Sequence, residues 1–262
     1  MFVFRKTRSI IVSFIVVLLP LFVSLPAVGQ INVGIKCDNI KYIEGEMIVA
    51  KVMVQNETEA PLVFNKVYNN AELQICVTSG SHVNCIPAVK NLNRDFVIMP
   101  GDTASEFIAL RSLVDLHRSG AYQVNGRILY NGKMFTSKSF GFDVVKGIEL
   151  QSRKRVLRDY PNVVLTYSLR YLGRESREYA FMVIRDVDNG DIYGAFNLGP
   201  ILRVFPPLLK FDDNSNIVIV HQSGQKRYTR TIITVNREGA KVIKQSHHRP
   251  DGKNIKDKTI QG

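Results

Sequence analysis

From Ala121 to Tyr130 the apolar side chains Tyr122, Val124, Ile128 and Tyr130 fall at even positions. This is the period of a strand with one buried face. Asn131-Gly132 follows, a strong short-range signal for a two-residue type I′ hairpin turn. Met134 to Val145 then returns with Phe140, Phe142 and Val144 on one face. Upstream, Pro100-Gly101-Asp102 is turn chemistry, since Pro presets φ and Gly tolerates positive φ. Ser105 to Leu110 reads as a short strand with Phe107 and Leu110 as its apolar candidates. Leu113 and Leu116 sit one helical turn apart before Ser119-Gly120.

The earlier part of the chain has the same texture. Ile31 to Cys37 reads as an edge strand, and Ile40 to Tyr42 leads into the turn Glu44-Gly45-Glu46. Met47 to Val54 carries bulk at both odd and even positions, which predicts a central strand buried on both faces. Asn56-Glu-Thr58 is a loop and a formal glycosylation sequon. Pro61 to Phe64, Leu73 to Val77, Val83 to Val89 and Phe96 to Met99 complete a set of short strands. Strands and turns at this spacing predict a β-sandwich over residues 30–147.

Leu116-His-Arg-Ser-Gly120-Ala-Tyr122-Gln-Val124 resembles the tyrosine corner of immunoglobulin-like sandwiches, in which a Tyr hydroxyl bonds back to upstream backbone. Pro100, Gly101, Leu116, Gly120 and Tyr122, in that order before a hairpin, resemble bacterial Ig-like domains of the intracellular-proteinase-inhibitor kind. The resemblance covers roughly Tyr42 to Val145, rests on structural residues, and implies an Ig-like fold. Protease inhibition is the activity it implies, through a protruding loop such as Thr78–Asn84. Val124 stands where the second sheet-bridging Cys of antibody domains would be, and the chain has no Trp.

Residues 148–160 form a basic junction, a solvated linker or the first edge of the next unit. Beyond it, residues 161–246 read as an antiparallel β-meander. Val163, Leu165, Tyr167, Leu169 and Tyr171 share one face, and Tyr179–Arg185 pairs with Ile192–Phe196 across Asp186–Asp191. Pro206-Pro207 bends the segment Ile201–Phe211. Ile217–His221, Tyr228–Val235 and Ala240–Gln245 follow. The meander is like a blade and a half of a β-propeller, but the chain is too short for a complete one. Residues 247–262 are charged and read as a mobile tail. The fold class expected is therefore all-β: an N-terminal Ig-like sandwich followed by a small antiparallel meander domain.

Residues 1–29 read as a signal peptide. Arg5, Lys6 and Arg8 precede an apolar run broken by Pro20, and Ala27-Val28-Gly29 offers small residues before Gln30. The rival reading is an uncleaved membrane anchor, the one route to a membrane the sequence offers. Either way the remainder is exported: periplasmic, cell-surface or secreted. Without the first 30 residues, 32 basic and 23 acidic side chains remain.

Three cysteines in an exported chain predict one disulfide and one leftover thiol. Cys76 and Cys85 flank one short loop and are the expected pair, with Cys37 a buried small hydrophobe. Asp186-Val-Asp188-Asn-Gly-Asp191 is similar to a calcium loop, but Gly190 comes one place early. In Asp212–Asn216 the Gly is replaced by Ile217. Asx-rich turns explain both. His82, His117, His221, His247 and His248 show no zinc spacing. No nucleophile elbow, phosphate loop or dinucleotide fingerprint occurs, so no catalytic residue, metal or cofactor is assigned.

Positive charge gathers at Arg153, Lys154, Arg155 and Arg158, at Lys226, Arg227 and Arg230, and in the tail. An exported chain does not meet a genome, so these patches point to an acidic surface polymer or a protein partner rather than nucleic acid. The function expected is an exported non-enzymatic binding or structural module. Protease inhibition and an unrecognised hydrolase site are the alternatives.

Overall fold

The computed structural model describes residues 30–64, 70–87, 96–110, 116 and 118–252. Residues 1–29, read above as a signal peptide, Leu113, His117 and the last ten residues lie outside them. The described residues form β-strands and turns, with no α-helix among them.

In the first unit β1 (Ile31–Cys37), β3 (Val49–Asn56) and β8 (Thr103–Ala109) make a three-stranded sheet with β3 in the middle. The facing sheet runs β2 (Lys41–Ile43), β11 (Phe140–Val145), β9 (Gly120–Tyr130), β5 (Ala71–Ser79), β6 (His82–Pro87). β10 (Lys133–Thr136) extends β9, and β4 (Leu62–Phe64) pairs β7 (Phe96–Ile98) alongside. The core between them holds Ala50, Val52, Val54, Leu73, Ile75, Val77, Ile108, Leu110, Val124 and Ile128. Two burial expectations need correcting. β3 is central in its hydrogen bonding but buries one face only, since Met53 is exposed. On β8 it is Ile108 that turns inward; Phe107 faces out, with the Lys51 ammonium 5.8 Å from its ring centroid. One uncovered side on this sheet suffices for both outcomes, because strand alternation sends every second residue there.

The Asn131-Gly132 turn has φ of 48° and 72°, the double positive φ of a type I′ hairpin. The returning strand breaks at Ser137. There the backbone exchanges with Gly126, and the Ser137 hydroxyl accepts from Gly126 N–H at 2.9 Å. At the other hairpin Cys76 lies directly opposite Cys85, and the two are bridged.

The second unit is two sheets rather than one. β12 (Ile148–Leu157), β13 (Tyr160–Arg174), β14 (Arg177–Asp186) and β15 (Ile192–Pro200) form an antiparallel meander. β16 (Leu208–Phe211), β17 (Ile217–Gly224), β18 (Arg227–Asn236) and β19 (Gly239–His248) form a second. The physical reason is the Ile201–Pro207 segment. It lies outside any strand and holds Pro206 and Pro207, which have no N–H to continue a ladder. The chain therefore crosses over and starts a new sheet. The basic stretch 148–160 is no linker: it is edge strand β12 and the turn into β13. The tail begins later than residue 247, because His247 and His248 pair with Thr229 and Tyr228 in β19.

The two meanders stack face to face over Leu165, Tyr167, Leu169, Ala180, Met182, Ile184, Ile217, Ile219 and Ile233. The other face of the first meander carries Leu172, Phe181 and Val183, which close on Ile43 of the first unit. The middle of β14, Ala180–Ile184, is thus buried on both sides. That is why it reads as an unbroken apolar run instead of an alternation.

Two ion pairs complete this seam. The Arg174 guanidinium binds Glu46, donates to Lys41 O at 2.9 Å, and stacks between the rings of Tyr42 and Phe181. Arg185 pairs with Glu44 at 2.6 Å, and Ser119 donates to the same carboxylate at 2.5 Å. Gly45 sits between the two glutamates at φ 79°, where an added Cβ would lie 2.6 Å from Ile192 Cγ2. Only glycine lets the turn approach this closely.

Candidate functional site

Antiparallel meanders put alternate turns at the same end. The β12–β13, β16–β17 and β18–β19 turns meet there and enclose a cleft of about 340 Å³. Asp159 and Ser215 take positive φ, 68° and 64°, to make two of these turns tight. Arg155 and Arg158 reach the cleft from the end of β12 and its turn, and Arg237 from the β18–β19 turn, with Tyr160, Tyr167, Asp159 and Glu238 in its lining.

Each arginine is held by a contact of its own. The Arg155 guanidinium lies 4.7 Å from the Phe211 ring centroid, across the gap between the meanders. That of Arg237 lies 5.5 Å from the Tyr160 ring centroid. Arg158 donates to Asn214 O at 3.3 Å. Tyr167 is buried and meets Phe211 edge-on at 5.1 Å. Burial pushes its hydroxyl up to about 12, with Arg155 working the other way, so it stays protonated.

Of the sequence-derived anionic contacts, Arg155 and Arg158 line this cleft, while Arg153 and Lys154 lie exposed along β12. Lys226, Arg227 and Arg230 do not join them. Lys226 is in the β17–β18 turn, at the far end of β17 from the cleft, and the other two lie on β18. Sequence reading missed Arg237 and Tyr160. Arg237 lies in the β18–β19 turn, and only the stacking of two sheets brings it beside residues 155–160.

The residues read as structural lie in the first unit. Tyr122 donates through Oη to Arg118 O at 2.8 Å and stacks on Phe142 at 5.6 Å. Pro100 and Gly101, φ 83°, occupy the middle of a turn closed by Asp102 N–H to Met99 O at 3.1 Å. Leu116 is buried, and Gly120 opens β9. The hairpin tip in Thr78–Asn84 is a tight two-residue turn, with Ser79 directly opposite His82, not a protruding loop. The sequon residue Asn56 is buried, its amide donating to Ala60 O and Ile98 O. Cys37 is buried; burial and then Asp38 push its thiol up to about 12, far from a reactive thiolate.

The acidic loops are occupied by their own turns. Asp186 accepts from the N–H groups of Asp188 and Asn189, and Asp212 from those of Asn214 and Asn216. The Asn216 side-chain amide, ahead of these backbone groups, holds Asp212 below its ordinary carboxyl value. Among the described residues no three His, Cys, Asp or Glu side chains gather as a metal site would need.

His221 is buried between the meanders with its Nε2 3.2 Å from Pro200 O. Burial lowers its pKa from 6.5 to about 4, so the folded protein keeps it neutral. Stability from this source is complete above pH 6.5, declines as pH falls from 6.5 to about 4, and levels off below. Its full size is on the order of 3 kcal/mol. Denaturant unfolding of the His221→Gln variant at several pH values should show a correspondingly flatter acid limb.

No family model and no curated protein matches the chain. Among solved structures, the CARDB domain of a Pyrococcus furiosus protein, crystallised with di-metal ions, matches at TM-score 0.30 and 11% identity. The match covers 45% of this chain and 90% of that one. Spo0M, a sporulation control protein from Bacillus subtilis, matches at TM-score 0.27 and 11% identity, over 65% of this chain and 91% of that one. The likeness is a loose one between β-rich domains.

Proposed function

We propose that this chain is an exported, non-enzymatic binding module that engages an anionic polymer through its second unit. The observation that carries the reading is the segregation of charge. Residues 148–262 hold 20 basic and 12 acidic side chains, against 12 and 11 in residues 30–147. Almost the whole positive excess therefore sits on one unit, part of it gathered at the cleft. A field of this kind draws in polyanions without requiring a deep pocket. The charged, apolar and small-residue order of residues 1–29 supports export, and a cross-strand disulfide suits an oxidising compartment. For the inhibitor reading, Tyr122 bonds back to Arg118 O, but the proposed loop is a paired hairpin.

The expected result is retention of the protein on a carboxylated or sulfated matrix at low salt and release toward 1 M, as the Debye length falls from about 10 Å to about 3 Å. Neutralising Arg153, Lys154, Arg155 and Arg158 together should bring elution to lower salt. Retention unchanged by those four substitutions would remove the β12 patch from the reading. Failure of the wild-type protein to bind any anionic matrix would remove the reading itself.

A further inference from the structure

We infer that the cleft between the β12–β13, β16–β17 and β18–β19 turns is a subsite for one acidic sugar ring of such a polymer. This rests on the reading above and adds to it a place and a chemistry.

Three features of the cleft argue for an acidic sugar, and the last two set it apart from a bare anion. The first is the set of arginines. A guanidinium offers a planar fork of donors that matches a carboxylate or sulfate. The Arg155 guanidinium is held over the Phe211 ring at 4.7 Å and that of Arg237 over the Tyr160 ring at 5.5 Å. The side chains are thus ordered before a ligand arrives, which lowers the entropic cost of binding. The second is Tyr160, which is partly exposed at the rim and gives an aromatic surface against which the apolar face of a sugar ring can lie. The third is the pair of acids, Asp159 and Glu238, in the same lining. Carboxylates accept hydrogen bonds from hydroxyls, which a sugar has and an inorganic anion lacks. They also partly offset the arginines, so simple anions gain less here than they would from cations alone.

The test uses the mature chain and calorimetry at about 0.15 M salt. The probes are a galacturonic-acid tetramer, a heparin tetramer, a neutral galactose tetramer and polyphosphate. Binding of the galacturonate probe assigns a carboxylated sugar, and binding of the heparin probe alone assigns a sulfated one. In either case Arg237→Gln and Tyr160→Leu should each weaken Kd by about tenfold, the scale of one lost contact. The neutral tetramer should bind at least as weakly as those variants. Thermal unfolding of both variants checks that they fold. Arg237→Lys, which keeps the charge and loses the fork, should fall between wild type and Arg237→Gln.

Equal binding of the wild type and both folded variants would overturn the inference. So would polyphosphate binding as tightly as the sugars with the same dependence on Arg237, since the cleft would then read charge alone. If the β12 substitutions still shift retention in those cases, the broader reading survives the loss of the subsite. Absence of binding to every matrix and probe would sink both.

Discussion

Replacing Phe181 by alanine lowers the unfolding free energy by about 3–5 kcal/mol, the range for truncating a buried aromatic ring. Phe181 has no exposed surface, yet it faces away from the core between the two meanders. It packs with Leu172 and Val183 against Ile43 of the first unit, and the Arg174 guanidinium lies 4.9 Å from its ring centroid. The cavity would open at the seam between units, where neither core can collapse to fill it. Denaturant unfolding followed by two probes, one in each unit, should show the transitions separating as well as shifting. A single transition at the wild-type midpoint would mean the seam contributes little.

The second large effect belongs to Arg174. Removing it by Arg174→Met leaves the Glu46 carboxylate buried without its cation, a change worth about 3–5 kcal/mol. Both side chains are largely shielded from water, so solvent screening does little to soften the loss. The Ile43 N–H that also binds Glu46 Oε2, at 3.0 Å, keeps the effect toward the lower end. Adding Glu46→Gln to Arg174→Met should recover part of the stability, because the unpaired charge is then gone. If the double variant is as unstable as the sum of the singles, the ion pair is not what couples the units. Phe181 and Arg174 touch, so their effects should not add.

Strands whose apolar side chains alternate were legible in the sequence. β9 buries Tyr122, Val124 and Ile128 as its alternation implies, and β13 buries Leu165, Tyr167 and Leu169. Local turn chemistry was legible too, at Asn131-Gly132 and Pro100-Gly101, because the φ values there are set by the residues themselves. The disulfide followed from two cysteines flanking one turn. What escaped was everything decided by which layer lies next to which. A strand such as β14, apolar at every position, does not announce that its two faces serve different cores. The apolar side chains of β8 do not say which of Phe107 and Ile108 turns inward. Arg155 and Arg237 are far apart in the chain, and only the stacking of the second meander on the first makes them neighbours.

One pairing in the first unit bears on the order in which the molecule can assemble. Every strand of the second unit meets its sheet partner across a single hairpin. β2, by contrast, pairs among the described residues only with β11, in parallel, Lys41 opposite Asp143. A chain made from its N-terminus therefore produces β2 early and must wait for most of the first unit before β2 has a ladder to join. Ile43 is the last residue of that strand, and Ile43 is also what the second unit packs against. Closure of the first sheet and placement of the seam are then one event. The two meanders can zip locally while they wait, but they have nothing to dock on until Phe140–Val145 has been threaded beside Lys41–Ile43.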